Sequence, residues 1–288
     1  MNSTNHELWQ YLRRGKKEIE GWLQRIDAEI YGSILGFQKA HDIRGGCCEI
    51  GVHHGKSFLP LCVSLKEGER AICIDLFDDQ DRNLDISGHG NYDRFIANLS
   101  KYSIDLGKIC ILKASSEDIS PGRIKSEVGN VRFFSIDGGH WKKIVTNDLV
   151  LAEKSLAEWG VIALDDYCRA DWPDVTAGLV SWLDRTTSGI VPFAIGSNKI
   201  YLCHRDHHGA YRAALKTDFL SNFYRKSYCC YGVDLDTYRI ELVEQDEDSF
   251  KGLYKNMAGI FFPDLFVNTK RTYRSIKRLL VRSSTKNA

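Results

Sequence analysis

From Gly46 to about Cys203, short apolar runs alternate with longer helix-like stretches, and this rhythm restricts the possible folds more than any other feature. Strands are expected over residues 47–50, 71–75, 109–113, 132–137, 161–165, 190–195 and 199–204. Helices are expected over 57–65, 92–101, 142–158 and 175–185. The segment Phe133-Phe134-Ser135-Ile136 is apolar at nearly every position, as befits a strand buried on both faces. The alternation predicts an α/β, Rossmann-like, doubly wound and mostly parallel seven-stranded sheet. Only Gly196-Ser197-Asn198 separates the last two strands, so they form a hairpin and bring one antiparallel strand into the sheet.

The flanks break the rhythm. Before about residue 40, Ile19, Trp22, Leu23, Ile26 and Ile30 fall on one helical stripe, predicting an N-terminal helical cap over 1–40. Such a cap packs on the domain or on a second subunit, so a homo-oligomer is open. The α/β domain is expected over 41–205, followed by a C-terminal extension over 206–288. Within the extension, 206–220 reads as helical and 228–243 as one or two strands. From Asn268 onward, Lys270, Arg271, Arg274, Lys277, Arg278, Arg282 and Lys286 have no acidic neighbour, and Ile276, Leu279 and Leu280 give a narrow apolar side. This is either a solvated terminal helix or a basic amphipathic helix able to touch an anionic membrane.

Composition excludes several classes. With 43% hydrophobic and 27% charged residues, the chain can build a sizeable core. A formal net charge of +1 gives no support to nucleic-acid binding. No apolar run reaches the length of a membrane span, and the first residues lack a secretory pattern. The nine cysteines lie mostly in apolar runs without a C-x-x-C pair. That is reduced, cytoplasmic usage rather than a disulfide frame.

Ligands of a doubly wound sheet gather at the carboxyl ends of its strands. Here the first strand ends in Glu49-Ile50-Gly51, followed by Gly55 and Ser57. The glycines would let a ligand approach the backbone, and the next helix start would offer free N–H groups. The second strand ends at Asp75, placed to accept ribose hydroxyls. The third runs into Ser115-Ser116, the fourth ends at Asp137-Gly138-Gly139-His140, and the fifth at Asp165-Asp166. The long polar loop over 78–91 is expected to act as a lid.

The spacing Glu49-x-Gly51-x-x-x-Gly55-x-Ser57 resembles motif I of the class I S-adenosylmethionine-dependent methyltransferases. The middle glycine of the dinucleotide fingerprint is missing. Five parallel strands and a hairpin over about 40–205 are also similar to that family. The resemblance implies S-adenosylmethionine as cofactor, held by Glu49, Gly51, Gly55, Ser57, Asp75, Ser115, Ser116 and Asp137. Three converging carboxylates, Asp137, Asp165 and Asp166, repel one another unless a cation such as Mg²⁺ neutralises them. In this the chain resembles the catechol and macrolide-sugar O-methyltransferases. That branch implies Asp137, Asp165 and Asp166 as metal ligands, with His140 of the D-x-x-H spacing as catalytic base beside Asp137. Lys142 or Lys143 would be the base in the catechol manner.

The implied activity is Mg²⁺-assisted O-methylation of a sugar, glycan or natural-product hydroxyl, preferably one of a vicinal diol. Trp141, Tyr167 and Trp172 would offer stacking surfaces. A metal-independent methyltransferase, a cephalosporin-hydroxylase-like enzyme and a non-catalytic binding protein are the alternatives.

Overall fold

A computed structural model of the chain describes residues 3–239. Its strands are β1 (Gly46–Ile50), β2 (Ala71–Asp75), β3 (Ile109–Lys113), β4 (Val131–Ile136), β5 (Leu156–Leu164), β6 (Ile190–Ile195), β7 (Ile200–His204), β8 (Tyr224–Cys230) and β9 (Val233–Tyr238). They form one sheet in the order β3-β2-β1-β4-β5-β7-β6-β9-β8. β1 to β5 are mutually parallel, whereas β7 runs antiparallel to both β5 and β6. The order reverses between β1 and β4, which opens a crevice at their carboxyl ends. The sheet has nine strands and not the expected seven, because β9 adds in parallel to the exposed edge of β6 and β8 pairs with β9.

The helices are α1 (Ser3–Arg13), α2 (Arg25–Ala40), α3 (Phe58–Val63), α4 (Tyr92–Lys101), α5 (Pro121–Val128), α6 (Lys142–Ser155), α7 (Pro173–Leu183), α8 (His208–Ala214) and α9 (Asp218–Ser221). Side-chain alternation splits the core into two layers. Cys47, Phe133, Ala163 and Tyr201 face α1 to α4, α8 and α9, while Cys48, Phe134, Ile136 and Ile162 face α5, α6 and α7. Burial on both faces explains the continuous apolar run of β4.

Two local readings change. The stripe from Ile19 to Ile30 is not one helix. A 3₁₀ turn over Gly15–Glu18 is followed by an irregular segment in which Gly21 has φ +125°, and α2 begins only at Arg25. Ile19, Leu23, Ile26 and Ile30 are buried nevertheless, while Trp22 is 62% exposed. Helix α5 was not expected from the sequence, although Ser120-Pro121 is a cap followed by proline in the first turn. The basic segment after Asn268 lies outside the described residues. Among the described residues, no helix is long and apolar enough to cross a membrane.

Gly51 sits where β1 leaves the sheet, with φ +78°. Its N–H donates to the Ile74 carbonyl, and the neighbouring Ile50 carbonyl accepts from the Asp137 N–H. A Cβ added there would overlap the Asp137 carbonyl oxygen. The glycine is therefore required by the close approach of two strand ends, as well as by its positive φ. Gly51→Ala is expected to lower the unfolding free energy by roughly 2–4 kcal/mol, combining strain with overpacking. Urea denaturation checks this, and a loss below about 0.5 kcal/mol would contradict the tight packing.

Candidate active site

The β1/β4 crevice contains a cavity of about 390 Å³, within the size range of small-molecule sites. Gly51, Asp75, Ser115, Ser116, Asp137, His140, Asp165 and Asp166 all line it, so five strand-end segments of the sequence converge on one space. Asp75 also organises its own wall. Its Oδ2 accepts the N–H groups of Val52 at 2.7 Å and His53 at 2.8 Å, and its Oδ1 accepts that of Phe77 at 2.6 Å. A carboxylate offers about four lone-pair sites, so capacity for one further donor remains. Burial pushes this carboxyl up, against the pull of those three N–H groups.

Glu49, Gly55 and Ser57 are not among the cavity-lining residues. Glu49 points to the opposite side, into the layer beneath α2, where it is fully buried. It accepts from the Ser135 hydroxyl at 2.8 Å, Ser135 contacts Tyr31, and Ser57 gives a second hydroxyl contact. Burial raises the Glu49 carboxyl to about 7 despite these hydroxyls. A Cβ at Gly55 would press on the Phe95 ring at 3.1 Å. These three residues of the first-strand pattern thus build the turn from behind.

The acidic strand ends fall into two groups. Register places Ile136 beside Leu164 and Leu164 beside Ile200. The next positions outward, Asp137, Asp165 and Lys199, consequently form a row. Lys199 is 1% exposed, ion-paired with Asp165 Oδ2, and 3.7 Å from Asp137 Oδ2. Asp165 Oδ1 accepts the Asp166 N–H at 2.8 Å. Burial and then the Asp165 charge hold the Asp137 carboxyl well above its ordinary range, against the opposing pull of Lys199.

Asp166 turns away from that row because its φ is +55°, an uncommon conformation for a residue with a side chain. Its Oδ2 meets His140 Nε2 at 3.0 Å and its Oδ1 meets Arg169 at 3.2 Å. The other imidazole nitrogen, Nδ1, lies 2.7 Å from Asp85 Oδ2, which also accepts the His140 backbone N–H at 2.9 Å. Asp85 comes from the 78–91 loop and was not singled out in the sequence. No spacing signal joins it to His140, 55 residues away. Ligand atoms of Asp137, His140 and Asp166 lie within 4.8 Å of one another. This donor set fits a divalent cation, and the acidic ligands fit Mg²⁺. Asp165, expected as a third ligand, instead faces Lys199.

Residues 48–167 match a family model described as a methyltransferase domain. The fold agrees with the O-methyltransferase NovP, at a TM-score of 0.52 and 13% identity over 61% of this chain and 78% of that one. Weaker likenesses include the calicheamicin methyltransferase CalS11 (TM-score 0.45, 14% identity, 69% of this chain and 91% of that chain). The O-methyltransferase TomG from Streptomyces achromogenes gives a TM-score of 0.45 at 14% identity, over 70% of this chain and 89% of that chain. Residues 48–167 thus match a methyltransferase domain, on a fold shared with an O-methyltransferase. Comparison with curated proteins gives no match.

The 78–91 loop forms one wall of the methyltransferase cavity through residues such as Asn83, Leu84 and Asp85. The irregular N-terminal segment supplies another through Trp22 and Gln24. Trp172 stacks on His140 at 4.1 Å and Trp141 is half exposed at the mouth, but Tyr167 packs into the α5–α7 layer and does not line the cavity. Lys142 and Lys143 do not line it either, and Lys143 reaches Glu117 at 2.7 Å.

Burial alone would lower the His140 pKa, yet the Asp166 and Asp85 contacts outweigh it and raise the pKa to about 9. A histidine ordinarily titrates near about 6.5. The folded value is the higher one, so its stabilising contribution is complete below about pH 6.5 and is lost as pH rises through about 9. In the protein without ligands, NMR titration of His140 should show this raised value, and Asp85→Asn should lower it by more than about one unit. An unchanged value in Asp85→Asn would contradict the pairing.

Proposed function

We propose that the domain methylates a hydroxyl oxygen, with Asp137 and Asp166 holding Mg²⁺ and His140 receiving the hydroxyl proton. The observation that carries this reading is the convergence of Asp137, His140 and Asp166 within the cavity also bounded by Gly51 and Asp75. Gly51 and Asp75 then mark the donor side, and His140 the acceptor side. Mg²⁺ bound there would lower the pKa of a coordinated hydroxyl and restrain its orientation.

The hydroxyl oxygen attacks the methyl carbon as the carbon–sulfur bond breaks, which yields the methyl ether and S-adenosylhomocysteine. The proton passes to His140 Nε2, the nitrogen left facing the cavity when Asp85 accepts from Nδ1. His140 must be neutral to act. A cation held by Asp166 would take up one of the two carboxylates that keep His140 protonated, and would so bring its pKa down toward the working range. Trp172 covers one imidazole face and fixes the ring. A vicinal diol that binds through two oxygens satisfies the alignment of oxygen, carbon and sulfur better than an isolated alcohol. Exposed Trp22 and Trp141 at the mouth favour a sugar or polyketide-like face.

A metal-independent transfer is the second reading, favoured by the ion pairs that Lys199 and His140 already make with Asp165 and Asp166. Methyl transfer to a panel of vicinal-diol glycosides, with and without EDTA, separates the two. The cation-assisted reading predicts loss of turnover in EDTA and its return with Mg²⁺. It also predicts a fall of about 10²–10⁴-fold in His140→Ala, with a fall of at least about 10²-fold in Asp166→Ala. Full turnover in EDTA and in Asp166→Ala would overturn it.

A further inference from the structure

Lys199 is the buried cation that the carboxylate row depends on. It immediately precedes β7, after the Gly196–Asn198 turn. Asp27 of α2 holds that turn, accepting the Ser197 N–H at 3.1 Å and the Tyr201 hydroxyl at 2.9 Å. The ammonium therefore has a fixed base. Its charge faces Asp165 and Asp137 directly and also acts on the buried Asp27 and Glu49. An unpaired ammonium at this depth would be strongly destabilising, as would the bare carboxylates.

We infer that Lys199 is a resident counter-cation that removes Asp165 from the divalent-ligand set, so that Asp137 and Asp166 alone supply the acidic ligands. The inference rests on the cation-assisted reading above, and it concerns how the site divides its charge. Both Asp165 oxygens are already engaged, one by Lys199 and one by the Asp166 N–H. Asp166, in contrast, directs Oδ2 toward the space shared with His140 and Asp137. Two adjacent aspartates thus do different work because one points along the sheet row and the other, through its positive φ, into the cavity.

The test is isothermal titration of Mn²⁺ into the full chain, in the wild type, Asp166→Asn, Lys199→Met and the double variant Lys199→Met/Asp165→Asn. Wild type should bind, and Asp166→Asn should weaken binding by about 10–100-fold or more. The double variant removes both members of a buried pair, so its affinity should stay within about threefold of wild type. Lys199→Met alone frees Asp165 and removes a repelling charge, so it should bind at least about threefold tighter. Thermal melts without metal should place Lys199→Met below the double variant, because one unpaired partner is worse than none. A double variant weakened as much as Asp166→Asn would overturn the inference, since Asp165 would then be a ligand. Equal Mn²⁺ affinity in Lys199→Met and wild type would also overturn it. Wild type that takes up no Mn²⁺ overturns the cation-assisted reading and this inference together, and is recognisable from the first titration.

Discussion

Mutual repulsion among carboxylates at neighbouring strand ends is the constraint around which this molecule is arranged. Parallel strands bring Asp137 and Asp165 side by side, and the chain continues directly into Asp166. Like charges so close in a low-dielectric setting must be protonated, paired or bound to a cation. The fold uses separate partners for separate members. Lys199 meets Asp165 across the antiparallel β5–β7 pair, while His140 and Arg169 meet Asp166. The hairpin is therefore more than an edge to the sheet. An antiparallel strand is needed to bring Lys199 back to the same end of the sheet as Asp165.

The same economy links the distant walls. Asp27 on α2 fastens the hairpin turn that carries Lys199. Asp75 on β2 fastens the loop after Gly51. Asp85 on the 78–91 loop fastens His140. Each is an acidic side chain that satisfies backbone or ring donors, so the cavity walls are set by directed polar contacts over a rigid apolar sheet. The 78–91 loop ties one cavity wall to the imidazole, because Asp85, which meets His140 Nδ1, belongs to a segment that lines the cavity.

Much of this was legible in the sequence, for physical reasons. β2, β3, β6 and α4 stand at their expected bounds because apolar runs and a helical stripe left no competing period. The strand-end aspartates were legible because parallel sheets place ligands there. Glu49 stands apart from the cavity lining because β1 turns its side chain into the α2 layer, and spacing cannot tell which face of a strand a side chain takes. The Ile19–Ile30 stripe hid a break at Gly21, whose φ of +125° no helix accommodates. Asp85 and Lys199 were invisible for a different reason. Their roles arise from contacts with His140 and Asp165 across 55 residues and across a strand pair, which only the folded chain brings together.

The most direct measurement is a crystal structure with S-adenosylhomocysteine and Mn²⁺, the metal located by its anomalous signal. The account predicts Mn²⁺ between Asp137 and Asp166, the adenosyl group along Gly51, Asp75 and Ser115, and Lys199 still paired with Asp165. Nucleoside density away from the β1/β4 crevice, or Mn²⁺ ligated by Asp165 with Lys199 displaced, would contradict it.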